Sequence, residues 1–144
     1  MLRVALFVLL AFALTASARG DDKADLKALV GKWKLEKAEV GGKDMLTVLK
    51  DLELEIQADA KYVLKLGGQP DEGSFTVDSG KTPKQMDIKG TSGPNKGKTI
   101  PAIYKIDGDT VTICYQLGGG DRPTAFESKP DTKLFLAVYK REKK

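Results

Sequence analysis

From Trp33 to Val138, apolar and polar side chains alternate with a period of two through most of the chain. Trp33 and Leu35 alternate with Lys34 and Glu36; Leu52, Leu54 and Ile56 with Glu53, Glu55 and Gln57; Tyr62, Leu64 and Leu66 with Lys61 and Lys65. The same beat continues in Phe75/Val77, in Met86/Ile88, in the set Ile100, Ala102, Tyr104, Ile106, in Val111, Ile113, Tyr115, and in Leu134, Leu136, Val138. Each run reads as a strand with one face buried, about eight strands in all. Ahead of them the period is that of a helix. Leu26, Leu29 and Val30 share a face, Asp22 offers an N-cap and Gly31 a stop, which predicts two helical turns at most.

Gly41-Gly42, Gly67-Gly68, Ser79-Gly80 and Asp107-Gly108-Asp109 separate the strands with residues that accept the positive φ of tight hairpins. No helical stretch is long enough for parallel crossovers, so the strands are predicted to be antiparallel. A half-buried sheet of this size either stacks as two layers or closes on itself. The meandering order favours closure: an all-β fold, a single antiparallel up-and-down β-barrel with a short N-terminal helix. A Greek-key sandwich is the alternative.

The first residues belong to neither pattern. Arg3, the apolar run from Val4 to Leu14 and the small-x-small triplet Ala16-Ser17-Ala18 match a secretory signal peptide. The run is shorter than the roughly 20 residues that span a hydrocarbon core, and Arg19, Gly20, Asp21 and Asp22 follow at once. The expectation is an exported protein, periplasmic or secreted, with a signal peptide over 1–18, one barrel domain over 19–144 and no membrane span after cleavage. Losing Arg3 leaves 23 cations against 20 acids, a net charge of +3. These charges are interspersed, as in Lys34/Glu36 and Glu39/Lys43, so no nucleic-acid footprint is read. Only Lys140, Arg141, Lys143 and Lys144 cluster, as a solvated tail beside the last strand.

Cys114 is the single cysteine and there is no histidine. An intramolecular disulfide is thereby excluded, and so are histidine-dependent triads and ordinary zinc hydrolase sites. Cys114 lies inside a strand-like run and reads as a small buried hydrophobe. No metal site, no cofactor and no enzymatic activity are predicted.

Gly31-Lys32-Trp33 opens the first strand and Arg141 closes the last. In an up-and-down barrel these strands are neighbours, so the arginine can stack on the indole and shut one end. Gly31, Trp33 and Arg141 are therefore assigned to barrel closure, an arrangement that resembles the lipocalin and calycin proteins. Over nearly the whole mature chain there is a further likeness. Segments Leu29–Trp33, Ala38–Lys43, Gly73–Asp78, Lys81–Ile88, Gly93–Thr99, Ile103–Cys114, Asp121–Phe126 and Ser128–Pro130 are together similar to an uncharacterised family of bacterial exported proteins abundant in planctomycetes. That resemblance implies a lineage and a lipocalin-like fold, and carries no catalytic residue with it.

Three motifs invite chemistry and have simpler readings. Gly93-Pro94-Asn95-Lys96-Gly97-Lys98-Thr99 is one residue short of a P-loop and leads into a strand instead of a helix. Asp107-Gly108-Asp109 lacks the further oxygen ligands of an EF-hand and suits a hairpin. Asp21, Asp22 and Asp25 complement a helix N-terminus. The longest irregular stretch, Gly118 to Lys133, is the candidate surface for ligands or partners, with Arg122 to meet an anionic group and Phe126 an apolar one; the same pair equally serves to lock the loop down. Inward positions are apolar apart from the hydroxyls of Tyr62, Tyr104 and Tyr115, so an enclosed ligand would be a small hydrophobic molecule with few polar handles. The candidate ligand residues are thus Tyr62, Tyr104, Tyr115, Arg122 and Phe126. Two functions follow: an exported lipocalin-like binder of such a ligand, or a protein-interaction or cell-envelope structural module whose barrel is filled.

Overall fold

The computed structural model describes residues 21–67 and 70–143. The expected signal segment, Gly68 of the second turn and Lys144 of the basic tail lie outside them. A helix, α1, covers 21–29. It is followed by β1 (Gly31–Val40), β2 (Lys43–Asp44), the single-turn α2 (Leu46–Leu49), β3 (Glu53–Gln57), β4 (Lys61–Lys65), β5 (Asp71–Asp78), β6 (Lys84–Ser92), β7 (Thr99–Asp107), β8 (Thr110–Gln116) and β9 (Leu134–Arg141). From β3 onward every strand pairs antiparallel with the next in sequence, β3 pairs with β1, and β9 pairs back onto β1. The result is a closed up-and-down barrel, with the two-residue β2 as an extra strand on β1. Closure leaves no free edge in the ring, which suits a chain this rich in strands.

The seam is irregular in one place. Leu35 faces Tyr139 and the next pair is Lys37 with Val138, so Glu36 is an additional residue in β1. Such a bulge bends its strand and shifts the side-chain phase. Glu36 and Lys37 are accordingly both exposed, and burial resumes at Ala38. Two adjacent charges inside an alternating run were its only trace in the sequence.

Strand β9 corrects the expected phase. Phe135, Ala137 and Tyr139 point into the main core, whereas Leu136 joins Ile103 and Cys114 in a second, separate cluster. The run from Leu134 to Tyr139 is apolar at every position, and a period-two rule cannot say which face of such a strand is inside. Ile103 on β7 and Cys114 on β8 likewise sit out of phase with the inward residues Ala102, Tyr104, Ile113 and Tyr115. This part of the barrel is therefore apolar on both faces. Phe126 from the segment after β8 packs on the outer cluster, and Cys114 is fully buried there, its thiol 3.4 Å from the Glu127 carbonyl.

One end of the barrel is plugged by α1 and the start of β1. Trp33 has no exposed surface and donates its Nε1–H to the Leu29 carbonyl at 2.9 Å. Arg141, directly opposite Trp33 across the seam, lays its guanidinium 4.3 Å above the indole. It donates from Nη1 to the Val30 carbonyl at 2.7 Å and from Nη2 to the Ala28 carbonyl at 2.6 Å. A helix end leaves its last carbonyls without partners, and the forked cation satisfies two of them while complementing the negative end of the helix dipole. Asp22, expected as the N-cap, lies within the described helical residues. Asp22 instead accepts hydrogen bonds from the Ser79 backbone N–H at 2.7 Å and its hydroxyl at 2.6 Å, and Asp25 accepts from Tyr104 at 2.6 Å and pairs with Lys84 at 3.0 Å. The β5–β6 turn reaches α1, so these carboxylates serve the barrel and not the helix's own amides.

Arg141→Ala is expected to lower unfolding stability by about 2–4 kcal/mol, combining a cation–π contact with two charge-assisted hydrogen bonds. Arg141→Lys should recover less than half, because a single ammonium cannot reach both carbonyls and cover the ring. Urea denaturation with an unchanged slope and a lowered midpoint is the measurement.

Candidate functional site

A ring of eight strands encloses just enough space for side chains or one small ligand. Here the two halves of the interior differ. The α1 end is filled by Trp33, Tyr104 and Tyr139, all essentially without exposure. The opposite end, where the β4–β5, β6–β7 and β8–β9 connections gather, contains a cavity of about 180 Å³. Its walls are mainly Leu54, Ile56, Leu64, Phe75, Ile88, Ile100, Ile113 and Phe135, and its polar groups come from Tyr62, Asp71, Asn95 and Tyr115. Leu117, 44 % exposed, is part of the lining, so the space reaches the surface at that rim.

The polar groups are positioned by backbone features of β5 and β6. In β5 the inward series is Asp71, Gly73, Phe75, and Tyr62 of β4 stands directly opposite Gly73. A Cβ on Gly73 would lie 2.8 Å from the Tyr62 ring, and it would also collide with the Lys89 carbonyl. Glycine is what lets the phenol lie against β5. Gly90 of β6 does the same for the loop that follows, since a Cβ there would collide with the Asn95 backbone. That loop is the segment with the incomplete P-loop spacing. It folds over Gly90 through Gly97 N–H to Gly90 O (3.0 Å), Gly90 N–H to Lys98 O (3.1 Å) and Lys98 N–H to Asn95 O (3.0 Å), and it delivers the Asn95 amide to Asp71 Oδ2 at 2.7 Å.

Asp71 is the one charged side chain in the core among the described residues, 7 % exposed, and its Oδ1 has no hydrogen-bond partner there. The Tyr62 hydroxyl, on a residue also 7 % exposed, is likewise without a partner among them. Burial, reinforced by the negative charge of Asp71, pushes the Tyr62 phenol up to about 12. The other cavity phenol is satisfied: Tyr115 shares a 2.8 Å hydrogen bond with Tyr139 and stacks on Phe135 at 5.2 Å between centroids. Burial raises both of these phenols as well. Burial also raises Tyr104, aided by its hydrogen bond to Asp25.

Of the five ligand residues read from the sequence, the structure brings together Tyr62 and Tyr115. Tyr104 is at the plugged end, bonded to Asp25. Arg122 and Phe126 lie on the outside of the barrel, a correction to their reading as ligand contacts. Arg122 donates from Nη1 to the Met86 and Ala102 carbonyls, both at 3.0 Å, and pairs with Asp87 at 2.6 Å; Phe126 covers the outer cluster beneath Lys105, whose ammonium stands 4.8 Å from the ring centroid. The long segment from Gly118 to Lys133 therefore covers the second apolar face of β7–β9 with Arg122 and Phe126, the use that its length alone left open. Gly31, Trp33 and Arg141 occupy the plugged end together. Asp71 and Asn95 were not singled out in the sequence. Asp71 had a signal, an acid in phase with the inward Gly73, Phe75 and Val77; Asn95 had none, because its place depends on how its loop folds.

Among the described residues, no three His, Cys, Asp or Glu side chains are grouped to hold a metal ion, and no helix is long and apolar enough to cross a membrane. No protein-family model matches the chain, and no curated protein sequence matches it.

Two outcomes are expected. All four tyrosines of the chain have phenols raised by their surroundings. A group whose pKa is higher folded than unfolded favours the folded state below its unfolded value of 10 and loses that contribution as pH climbs through the folded value, here about 12 for Tyr62. Ultraviolet titration of the native protein should thus show no phenolate near pH 10, and stability should fall between pH 10 and 12, less steeply in Tyr62→Phe. Separately, Arg122→Ala should cost about 1–3 kcal/mol and admit protease into the segment after β8.

Proposed function

We propose that the protein is an exported, non-enzymatic lipocalin-like binder that holds a small hydrophobic molecule at the open end of its barrel. The observation that carries the reading is the asymmetric interior: a plugged base, and above it a space of about 180 Å³ with an almost wholly apolar wall. An apolar cavity of roughly 150 Å³ in another protein stays dry and accepts benzene, so this space is of ligand size. A ligand that removes roughly 200 Å² of apolar surface from water gains about 5 kcal/mol, corresponding to a dissociation constant of order 0.1–1 mM before any polar contact. The competing reading, a filled barrel serving as an interaction or envelope module, would require this space to be occupied by side chains.

Export rests on the signal-like residues 1–18, and membership of the planctomycete-abundant exported family rests on the motifs quoted for it. Cleavage after Ala18 would leave the described helical residues 21–29 in the mature chain.

Toluene, titrated calorimetrically, is expected to bind saturably and to raise the melting temperature. Leu64→Phe, which adds volume to a partly buried wall position, should weaken that binding by about tenfold or more. Absence of any toluene binding by the folded wild-type protein would remove the proposal.

A further inference from the structure

We propose that Asp71 and Tyr62 read the polar end of the cavity's occupant, and that this occupant carries a hydrogen-bond donor, an amine or a hydroxyl, in place of the carboxylate of a fatty acid. The inference rests on the binding role proposed above and adds the chemical class of the ligand to it.

An unfinished polar site interrupts the apolar wall. Buried polar groups in folded proteins are almost always hydrogen-bonded, and a buried carboxylate normally has a cation beside it. Asp71 has neither arrangement complete. Its Oδ2 accepts from the neutral Asn95 amide, its Oδ1 accepts from nothing among the described residues, and no lysine or arginine of those residues pairs with it. The Tyr62 hydroxyl is the second unsatisfied group, and both groups line the same cavity. They are diagonal neighbours on the inner face, Tyr62 opposite Gly73 and Asp71 opposite Leu64.

Their chemistry selects the head group. An ionised carboxylate only accepts, whereas a phenol both donates and accepts. A ligand hydroxyl seated between them donates to Asp71 Oδ1 and accepts from Tyr62. A protonated amine donates to both oxygens and also supplies the missing positive charge, so it is the best match. A carboxylate head accepts from Tyr62 alone and sets a second negative charge against Asp71 in a place where water does not screen the repulsion. The two glycines and the Asn95 loop hold this geometry before any ligand arrives, which lowers the ordering cost of binding.

The test compares hexylamine, hexan-1-ol and hexanoate, with toluene as a head-free reference, by calorimetry on the purified full chain. Hexylamine and hexan-1-ol are expected to bind at least about tenfold more tightly than hexanoate, as hydrogen bonding to a charged group implies. Asp71→Asn should erase the preference for the amine while toluene still binds, and Tyr62→Phe should weaken hexan-1-ol by a few-fold. If toluene binds and hexanoate binds as tightly as the amine, the head-group assignment fails and the apolar cavity stands. If nothing binds, toluene included, the binding role fails and this inference with it. Should Asp71→Asn not fold, the wild-type amine to hexanoate ratio and the Tyr62→Phe variant decide the matter.

Discussion

Across the seam between β1 and β9, the Arg141 guanidinium lies on the Trp33 indole and reaches over it to the last carbonyls of α1. Three separate needs meet in that contact. The barrel must bring its terminal strands together, the helix must satisfy the carbonyls its end leaves open, and a large aromatic ring must be sealed from water on both faces. A planar cation with a fork of donors answers all three, which a lysine in the same place would not. Because closure and plugging happen at the same place, the base of the barrel is dense. Any open volume is left to the other end.

That other end is built on different terms. The strands carry mid-sized aliphatic side chains there, and glycines at 73 and 90 remove side chains where a tyrosine ring and a loop press close. An acid is then introduced into the apolar wall with one of its oxygens unsatisfied among the described residues. A core selected only for stability would avoid such a residue, since burying an incompletely paired carboxylate opposes folding. The combination of an apolar enclosure and unspent polar capacity is the usual composition of a small-molecule site, in which shape supplies affinity and a few polar groups supply orientation.

The outer surface explains the long segment after β8. Strands β7, β8 and β9 are apolar on both faces, with Ile103, Cys114 and Leu136 directed outward. A barrel wall that is apolar outside requires a cover, and the segment carrying Arg122 and Phe126 supplies it, clamped by the arginine onto carbonyls of β6 and β7. The loop begins at the cavity rim with Leu117 and then runs over the outer wall, where its Arg122 and Phe126 are structural.

Alternation specified the eight strands of the ring, because side chains on a half-buried sheet must change faces at every residue, while hairpin glycines and the lack of crossover helices gave their antiparallel order and a helical period gave the helix before them. It also marked Trp33 and Arg141 as a pair, since a meander that closes makes its first and last strands neighbours. What it left undecided were positions where that rule is silent. Strand β9 is apolar at every position from Leu134 to Tyr139, so only the bulge at Glu36 and the register with β8 settled that Phe135, Ala137 and Tyr139 face inward. Asp71 and Asn95 are distant in sequence and meet only because β6 turns back through Gly90. Whether the interior is filled or hollow was likewise a matter for tertiary structure, because the same aliphatic residues serve either purpose, and the space left among them depends on strand tilt, register and the depth to which the plug descends.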